Sequence, residues 1–275
     1  MADRPAADRP AIVLAPGQGV VVVADGDVDP VRLRALAMGD SGDPADSGCP
    51  SDPGPPGAPG ARPLIVAADG AAAKVLAADL RPDLVIGDGD SLDPLTRERL
   101  AALRVPTRET SAEKDESDTE LCLLAALEAG ALRISLVGAF GGPRPEHSLA
   151  NLFLLADGRF DGLEITASWG ESRLRRTGRA AGPGDIRVAG AAGDWLSLLP
   201  LDAAVIGVRT DGLRYPLRGE TLSLGPSRGL SNELSGASAR VTTERGRLLV
   251  MHTPRTAADV LPPEPRLAPP GGPHA

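Results

Sequence analysis

The chain has 275 residues, a formal net charge of −8 at pH 7, 42% hydrophobic residues and 2% aromatic ones. That length holds one large domain or two modest ones, with a core that must rest on Val, Leu, Ile and Ala. The acidic balance excludes nucleic acid and anionic membrane as main partners, but not a nucleotide, because a divalent cation bridges carboxylates and phosphates.

Residues 1–17 read as a loose N-terminus. An apolar run at 20–24 predicts a fully buried strand, and 30–38 a short helix. Residues 39–61 are rich in Gly, Pro, Asp and Ser. They cannot bury enough apolar surface to order themselves, and they read as a low-complexity insertion because strand-like sequence resumes after them. Strands are then predicted at 64–68, 84–87 and 133–137, with Val105 on a short extended piece. Helices are predicted at 71–79, 94–103, 117–129 and 148–156. Gly130 supplies a favourable helix stop.

Strands alternating with helices predict a parallel sheet covered on both faces over 18–158. From 159 to 253 the segments become short and are separated by Gly, Pro or Asp: 163–169, 185–188, 195–199, 204–208, 221–224, 239–243 and 248–252. That pattern predicts a small all-β sandwich. Residues 254–275 are Pro-rich and read as a disordered tail. The expected fold class is therefore α/β, an α/β/α domain followed by a β-sandwich domain. Cys49 and Cys122 are the only cysteines and have no metal-type spacing, which argues against a disulfide scaffold and a zinc site. No charged segment leads into a long apolar core, and no apolar run approaches about 18 residues, so the cytoplasm is the expected compartment.

The aspartates carry the chemistry. Three strand-like runs end in acidic turns at Asp25, at Asp69, and at Asp88 with Asp90. In an open parallel sheet ligands bind beyond the carboxyl ends of the strands. Carboxylates delivered there suit a hard cation such as Mg²⁺, which in turn holds phosphate oxygens. In Ile86-Gly87-Asp88-Gly89-Asp90-Ser91 the glycines let the backbone bend and approach a ligand; a plain chain reversal explains the same residues equally well. Lys114-Asp115-Glu116-Ser117-Asp118-Thr119-Glu120 opens a helix. A capping box accounts for Ser117 and Glu120, but not for Lys114, which with Lys74 makes up all the lysine in the chain. Gly138-Ala139-Phe140-Gly141-Gly142-Pro143-Arg144-Pro145-Glu146-His147 is a glycine-rich loop of the kind that presents N–H groups to phosphate. No GxxxxGK[ST] motif occurs, which excludes a P-loop nucleotide enzyme.

In this order, and followed by Ser148-Leu149-Ala150-Asn151, these motifs resemble the thiamine pyrophosphokinase family. Thr210-Asp211-Gly212-Leu213-Arg214-Tyr215-Pro216-Leu217 and Gly229-Leu230-Ser231-Asn232-Glu233 look like its thiamine-binding β-domain. The resemblance spans about 18–252. The chain departs from it at Gly89, where an aromatic is usual, at an inserted Pro143, at Glu146 for Asp, at Ser117 for Thr, and in the 39–61 insertion.

The resemblance implies transfer of a diphosphate from ATP to the hydroxyl of thiamine, with release of AMP, by a magnesium-dependent homodimer. It implies Asp69, Asp88 and Asp90 as metal ligands and Asp90, Asp115 and Asp118 as catalytic carboxylates. Lys114, Arg144, His147 and Ser91 are expected to bind ATP, and Tyr215, Ser231 and Asn232 to bind thiamine. A related enzyme acting on a hydroxymethyl-pterin and a member that binds thiamine or nucleotide without turnover remain alternatives.

Overall fold

The computed structural model describes residues 12–15, 17–40, 61–111 and 113–255. Residues 1–11 of the expected N-terminus, 41–60 of the insertion with Cys49, and 256–275 of the tail lie outside them.

The first half alternates strands and helices: β1 (Val20–Val23), α1 (Pro30–Ala37), β2 (Leu64–Ala68), α2 (Ala72–Ala77), β3 (Leu84–Gly87), α3 (Pro94–Ala102), β4 (Thr107–Glu109), α4 (Asp118–Glu128), β5 (Arg133–Val137) and α5 (Pro145–Leu154). β1 is four valines, all buried, as expected of a β-branched run covered on both faces. Local chemistry sets the helix starts. Asp29 and Asp93 cap α1 and α3, each followed by a proline at the first turn. Ser117 caps α4 by accepting from Glu120 N at 3.2 Å. α4 packs across β1, β2 and β3.

The second half is all strand: β6 (Glu164–Trp169), β7 (Ser172–Thr177), β8 (Gly184–Ala189), β9 (Trp195–Pro200), β10 (Ala204–Asp211), β11 (Arg218–Ser223), β12 (Asn232–Glu233), β13 (Ser238–Thr243) and β14 (Leu248–Thr253). The strands form two sheets. One has ten strands in the order β12-β9-β14-β7-β6-β5-β1-β2-β3-β4, and the other four in the order β11-β10-β13-β8. From β4 to β6 the large sheet is parallel; from β6 to β12 it is antiparallel.

The large sheet runs across residue 158, where the sequence pattern changes. β6 pairs in parallel with β5, Ile134 opposite Ile165, and β7 turns straight back on β6. The sandwich forms where the four-stranded sheet packs on the antiparallel end of the large one. Its core joins Val205, Val208 and Val241 of the small sheet to Leu196, Leu198 and Val250 of the large one.

β7 is a strand the sequence reading lacks. It carries three arginines, yet Ser172, Leu174 and Thr177 turn inward. Arg176 is the reason an arginine is tolerated there. Its side chain is 2% exposed and its guanidinium donates to the carbonyls of Leu155, Phe160 and Leu163 while pairing with Asp161 at 3.4 Å. Asp161 also receives Arg247 Nε at 2.6 Å, and Arg247 reaches Asp202 at 2.8 Å. This network ties the connection between α5 and β6 to the antiparallel half. No helix among the described residues is long and apolar enough to cross a membrane.

Arg176→Met is expected to lower unfolding free energy by about 3 kcal/mol, because it strands buried carbonyls and weakens the hold on Asp161. Urea denaturation of the two proteins measures this.

Candidate active site

The chain order of the parallel strands reverses between β1 and β5, which lie side by side at the middle of the parallel half. That is where an open α/β sheet leaves a crevice at its carboxyl edge. A cleft of about 320 Å³ lies there, lined by turns that follow β1, β2, β3 and β5 and by the start of α4.

Asp69 is its buried anchor, at 3% exposure. It opens a 3-10 turn after β2. Its carboxylate accepts from Gly70 N at 2.6 Å and from Gly89 N at 2.9 Å. The β3 backbone comes so close that a Cβ on Gly87 would lie 2.2 Å from Asp69 Cγ, so only glycine fits there. Burial pushes the Asp69 carboxyl above its ordinary range, and the charges of Asp118 and Asp88 add to the rise. Asp88 moves the other way, held down by hydrogen bonding with Asp90, first through the side chain and then through the Asp90 N–H.

One oxygen each from Asp69, Asp88 and Asp90 lies within 4.8 Å of the others. Three carboxylate oxygens, one of them buried and repelled by its neighbours, form a donor set that a hard divalent cation neutralises. The residues therefore fit Mg²⁺.

Across the cleft, Lys114 Nζ donates to Asp118 Oδ1 at 2.5 Å and to Thr110 Oγ1 at 2.8 Å. Ser91 Oγ donates to Asp90 Oδ1 at 3.2 Å. On the far wall the glycine loop folds back on the turn after β1: Gly26 N donates to Gly138 O at 2.7 Å and Asp27 N to Phe140 O at 3.0 Å. Gly138 has φ +68 and abuts Ala24 O, which no side chain would allow. Gly141 N donates to Ser148 Oγ at 3.1 Å, and Asn151 Nδ2 to Ala139 O at 2.7 Å, so α5 holds the loop in shape. α5 begins at Pro145, a turn earlier than the sequence predicts, because proline suits the first helical position.

The cleft gathers Asp69, Asp88, Asp90, Ser91, Lys114, Asp118, Arg144 and His147. Arg144 also pairs with Glu146 at 2.8 Å, both exposed. Asp115 does not line the cleft; it is exposed on the bend before α4, and the helix start turns Asp118 inward instead. Lys74 is a participant that the reading of site residues lacks. Its Nζ donates to Asp25 Oδ1 at 2.6 Å and to Gly26 O at 3.0 Å, fixing the turn after β1. Its rarity was the available signal, since the chain otherwise uses arginine.

Tyr215, Ser231 and Asn232 form a separate group and do not line this cleft. Asn232 is buried. Its Oδ1 accepts from Tyr215 N at 3.0 Å and Glu233 N at 2.9 Å, and its Nδ2 donates to Tyr215 O at 2.7 Å. Its amide thus holds the Tyr215 backbone. Ser231 is exposed with φ +54, and its N–H donates to Ser197 Oγ at 3.0 Å. Tyr215 is 58% exposed, with the Arg214 guanidinium 5.3 Å from its ring centre.

Comparison with known proteins matches both halves. The family model described as thiamin pyrophosphokinase, catalytic domain, matches residues 60–167, and that described as thiamin pyrophosphokinase, vitamin B1 binding domain, matches 185–248. The thiamine pyrophosphokinase of Bacillus subtilis is 26% identical over 191 residues, covering 69% of this chain and 87% of that protein. The crystal structure of a Bacillus subtilis thiamine pyrophosphokinase has a TM-score of 0.67 at 21% identity, over 87% of this chain and 100% of that one. A thiamin pyrophosphokinase family protein from Enterococcus faecalis gives 0.64 at 26% identity, over 87% and 100%.

Ionised Asp69 costs more in the folded than in the unfolded chain, so its contribution to stability falls as pH rises from the ordinary carboxylate range through its raised value. In metal-free buffer at pH 7, Asp69→Asn is therefore expected to melt higher than the wild type. Added MgCl₂ is expected to raise the wild-type Tm and to leave the variant unmoved, because a ligand of the folded state stabilises only what binds it. Differential scanning calorimetry with and without MgCl₂ measures both.

Proposed function

Because the chain belongs to the thiamin pyrophosphokinase family, whose members are kinase-type transferases, we propose that it moves the β,γ-diphosphate of ATP to the hydroxyl of thiamine, giving thiamine diphosphate and AMP. The observation that carries the reading is the convergence of Asp69, Asp88 and Asp90 opposite Lys114 and Asp118 in one cleft.

Diphosphoryl transfer needs charge neutralisation and in-line positioning more than covalent help from the protein. Asp69, Asp88 and Asp90 would hold Mg²⁺. When bound, the ion supplies neutralisation of the transferred phosphates. Lys114 and Arg144 add positive charge on phosphate oxygens, and Ser91 and His147 offer hydrogen bonds to them. Asp118, steadied by Lys114, accepts a hydrogen bond from the thiamine hydroxyl and aims it at the β-phosphorus. The new bond joins that oxygen to phosphorus, and the hydroxyl proton passes to Asp118. The bond between the β-phosphorus and the oxygen bridging it to the α-phosphate breaks, and its electron pair leaves on AMP.

Tyr215 offers its ring face to thiamine and Ser231 its hydroxyl, while Asn232 keeps the Tyr215 turn in place. The Tyr215 group lies apart from the cleft of its own chain, which supports a homodimer in which one copy's Tyr215 group meets the other copy's carboxylates. The reading places the enzyme in the cytoplasm. The vitamin B1 binding match favours thiamine over a hydroxymethyl-pterin, and the assembled carboxylates favour turnover over binding alone.

Incubation with MgATP and thiamine, or with a pterin alcohol instead, followed by measurement of AMP and the diphosphate ester, tests the assignment. Thiamine diphosphate and AMP are expected; ADP with a monophosphate ester, or reaction with the pterin alone, contradicts the reading. Asp88→Asn and Asp90→Asn are each expected to lower kcat by about a hundredfold or more. Tyr215→Ala is expected to raise KM for thiamine by about fivefold to tenfold, with KM for ATP unchanged. A Tyr215→Ala change confined to ATP kinetics removes Tyr215 from the thiamine site.

A further inference from the structure

The glycine loop between β5 and α5 carries one large side chain. Gly138, Ala139, Gly141 and Gly142 line the carboxylate cleft, and Phe140 in the middle of them does not. Its side chain turns away from the cleft and is 2% exposed. There its ring meets that of Trp169, with centroids 4.8 Å apart and planes 7° from parallel. The chain has three Phe, two Trp and one Tyr, so a flat pair at this loop stands out in a core otherwise built from aliphatic side chains.

Trp169 ends β6, the strand beside β5, and does not line the cleft. It pairs with Ser172 across the tight turn into β7, where Gly170 has φ +55. β7 is anchored in turn by Arg176. Trp169 is itself 43% exposed, so its ring covers the solvent side of Phe140 from a hydrogen-bonded hairpin outside the site.

The loop has a shape to lose. Gly141 and Gly142 have φ +82 and +79, and a glycine-rich segment gains more conformational entropy on release than any other. The carbonyls of Gly138, Ala139 and Phe140 accept from Gly26 N, Asn151 Nδ2 and Asp27 N, which fixes one side of the backbone. The stack fixes the direction of the Phe140 side chain, and with it the peptide planes on either side of Phe140.

We infer that Trp169 is a positioning residue for the diphosphate donor: by stacking on Phe140 it holds the glycine loop in the shape that presents backbone to phosphate oxygens. The inference rests on the transferase reading. A plain cover for the core is served at position 169 by any apolar side chain, whereas a stack requires a flat one. An offset stack at this spacing is strong enough to shift a loop equilibrium by about twofold to tenfold.

The test separates the ring from its bulk. Trp169→Leu keeps apolar cover without a ring, and Trp169→Phe keeps a ring. Magnesium tripolyphosphate is titrated calorimetrically into the full-length wild type and both variants, and KM is measured for MgATP and for thiamine. Trp169→Leu is expected to bind magnesium tripolyphosphate about threefold to tenfold more weakly and to raise KM for MgATP by a similar factor. KM for thiamine is expected to stay unchanged, because the Tyr215 group lies apart from this loop. Trp169→Phe is expected to remain within about twofold of the wild type in all three. Equal tripolyphosphate affinity in the wild type and Trp169→Leu, an equal loss in both variants, a rise in KM for thiamine as large as that for MgATP, or no binding by the wild type overturns the proposal. If Trp169→Leu does not fold, Trp169→Thr carries the same comparison. Failure of the wild type to convert thiamine would overturn the transferase reading separately, since the tripolyphosphate titration does not need turnover.

Discussion

The approach of Asp69 to the backbone of β3 is the constraint on which the candidate site depends. Gly87 has no side chain, so the carboxylate lies against the strand and takes the Gly89 N–H. Gly89, at positive φ, bends the chain so that Asp88 before it and Asp90 after it reach the same point. The result is a carboxylate buried where water cannot screen it, beside two others. Such a group is costly to ionise and is relieved by a cation. Burial raises Asp69, whereas hydrogen bonding with Asp90 lowers Asp88.

The fold separates two groups of side chains along one sheet. Its parallel half ends in turns that carry charge, and its antiparallel half packs with the small sheet into a sandwich that carries Tyr215 on an exposed turn. The Arg176, Asp161 and Arg247 network sits at the join. Asn232 sets the Tyr215 turn from a buried position while leaving the ring exposed, so the rigid part of that region is its backbone. Carboxylates on strand ends and a ring on a surface turn suit the proposed transfer of a small charged group to a flat acceptor.

Much of this is legible in the sequence. β1, β2 and β3 are unbroken apolar runs because both faces are covered, and their acidic ends lie where an open parallel sheet puts its ligands. Ser117 does cap α4 through the Glu120 N–H, while the Glu120 carboxylate pairs with Arg159 at 2.6 Å, and this cap coexists with the site role expected of Asp118, one residue further on. Asp115 and Asp118 look equivalent in sequence; only the start of α4 decides which of them faces the cleft. β7 is hidden because its arginines read as solvent-facing, whereas Arg176 is buried among carbonyls contributed by distant loops. The continuity of β5 with β6 is hidden for a related reason: strand pairing is a non-local choice that a change of texture near residue 158 does not reveal.

The central claim, that Gly87 lets Asp69 complete a cation site, is tested most directly by calorimetric titration of Mn²⁺ into the wild type and Gly87→Ala. A Cβ at position 87 must displace the Asp69 carboxylate. The account predicts that the wild type binds Mn²⁺ and that Gly87→Ala binds it about 10–100-fold more weakly, with an unchanged far-ultraviolet circular dichroism spectrum. Equal Mn²⁺ affinity in the two proteins, or no binding by the wild type, would contradict it.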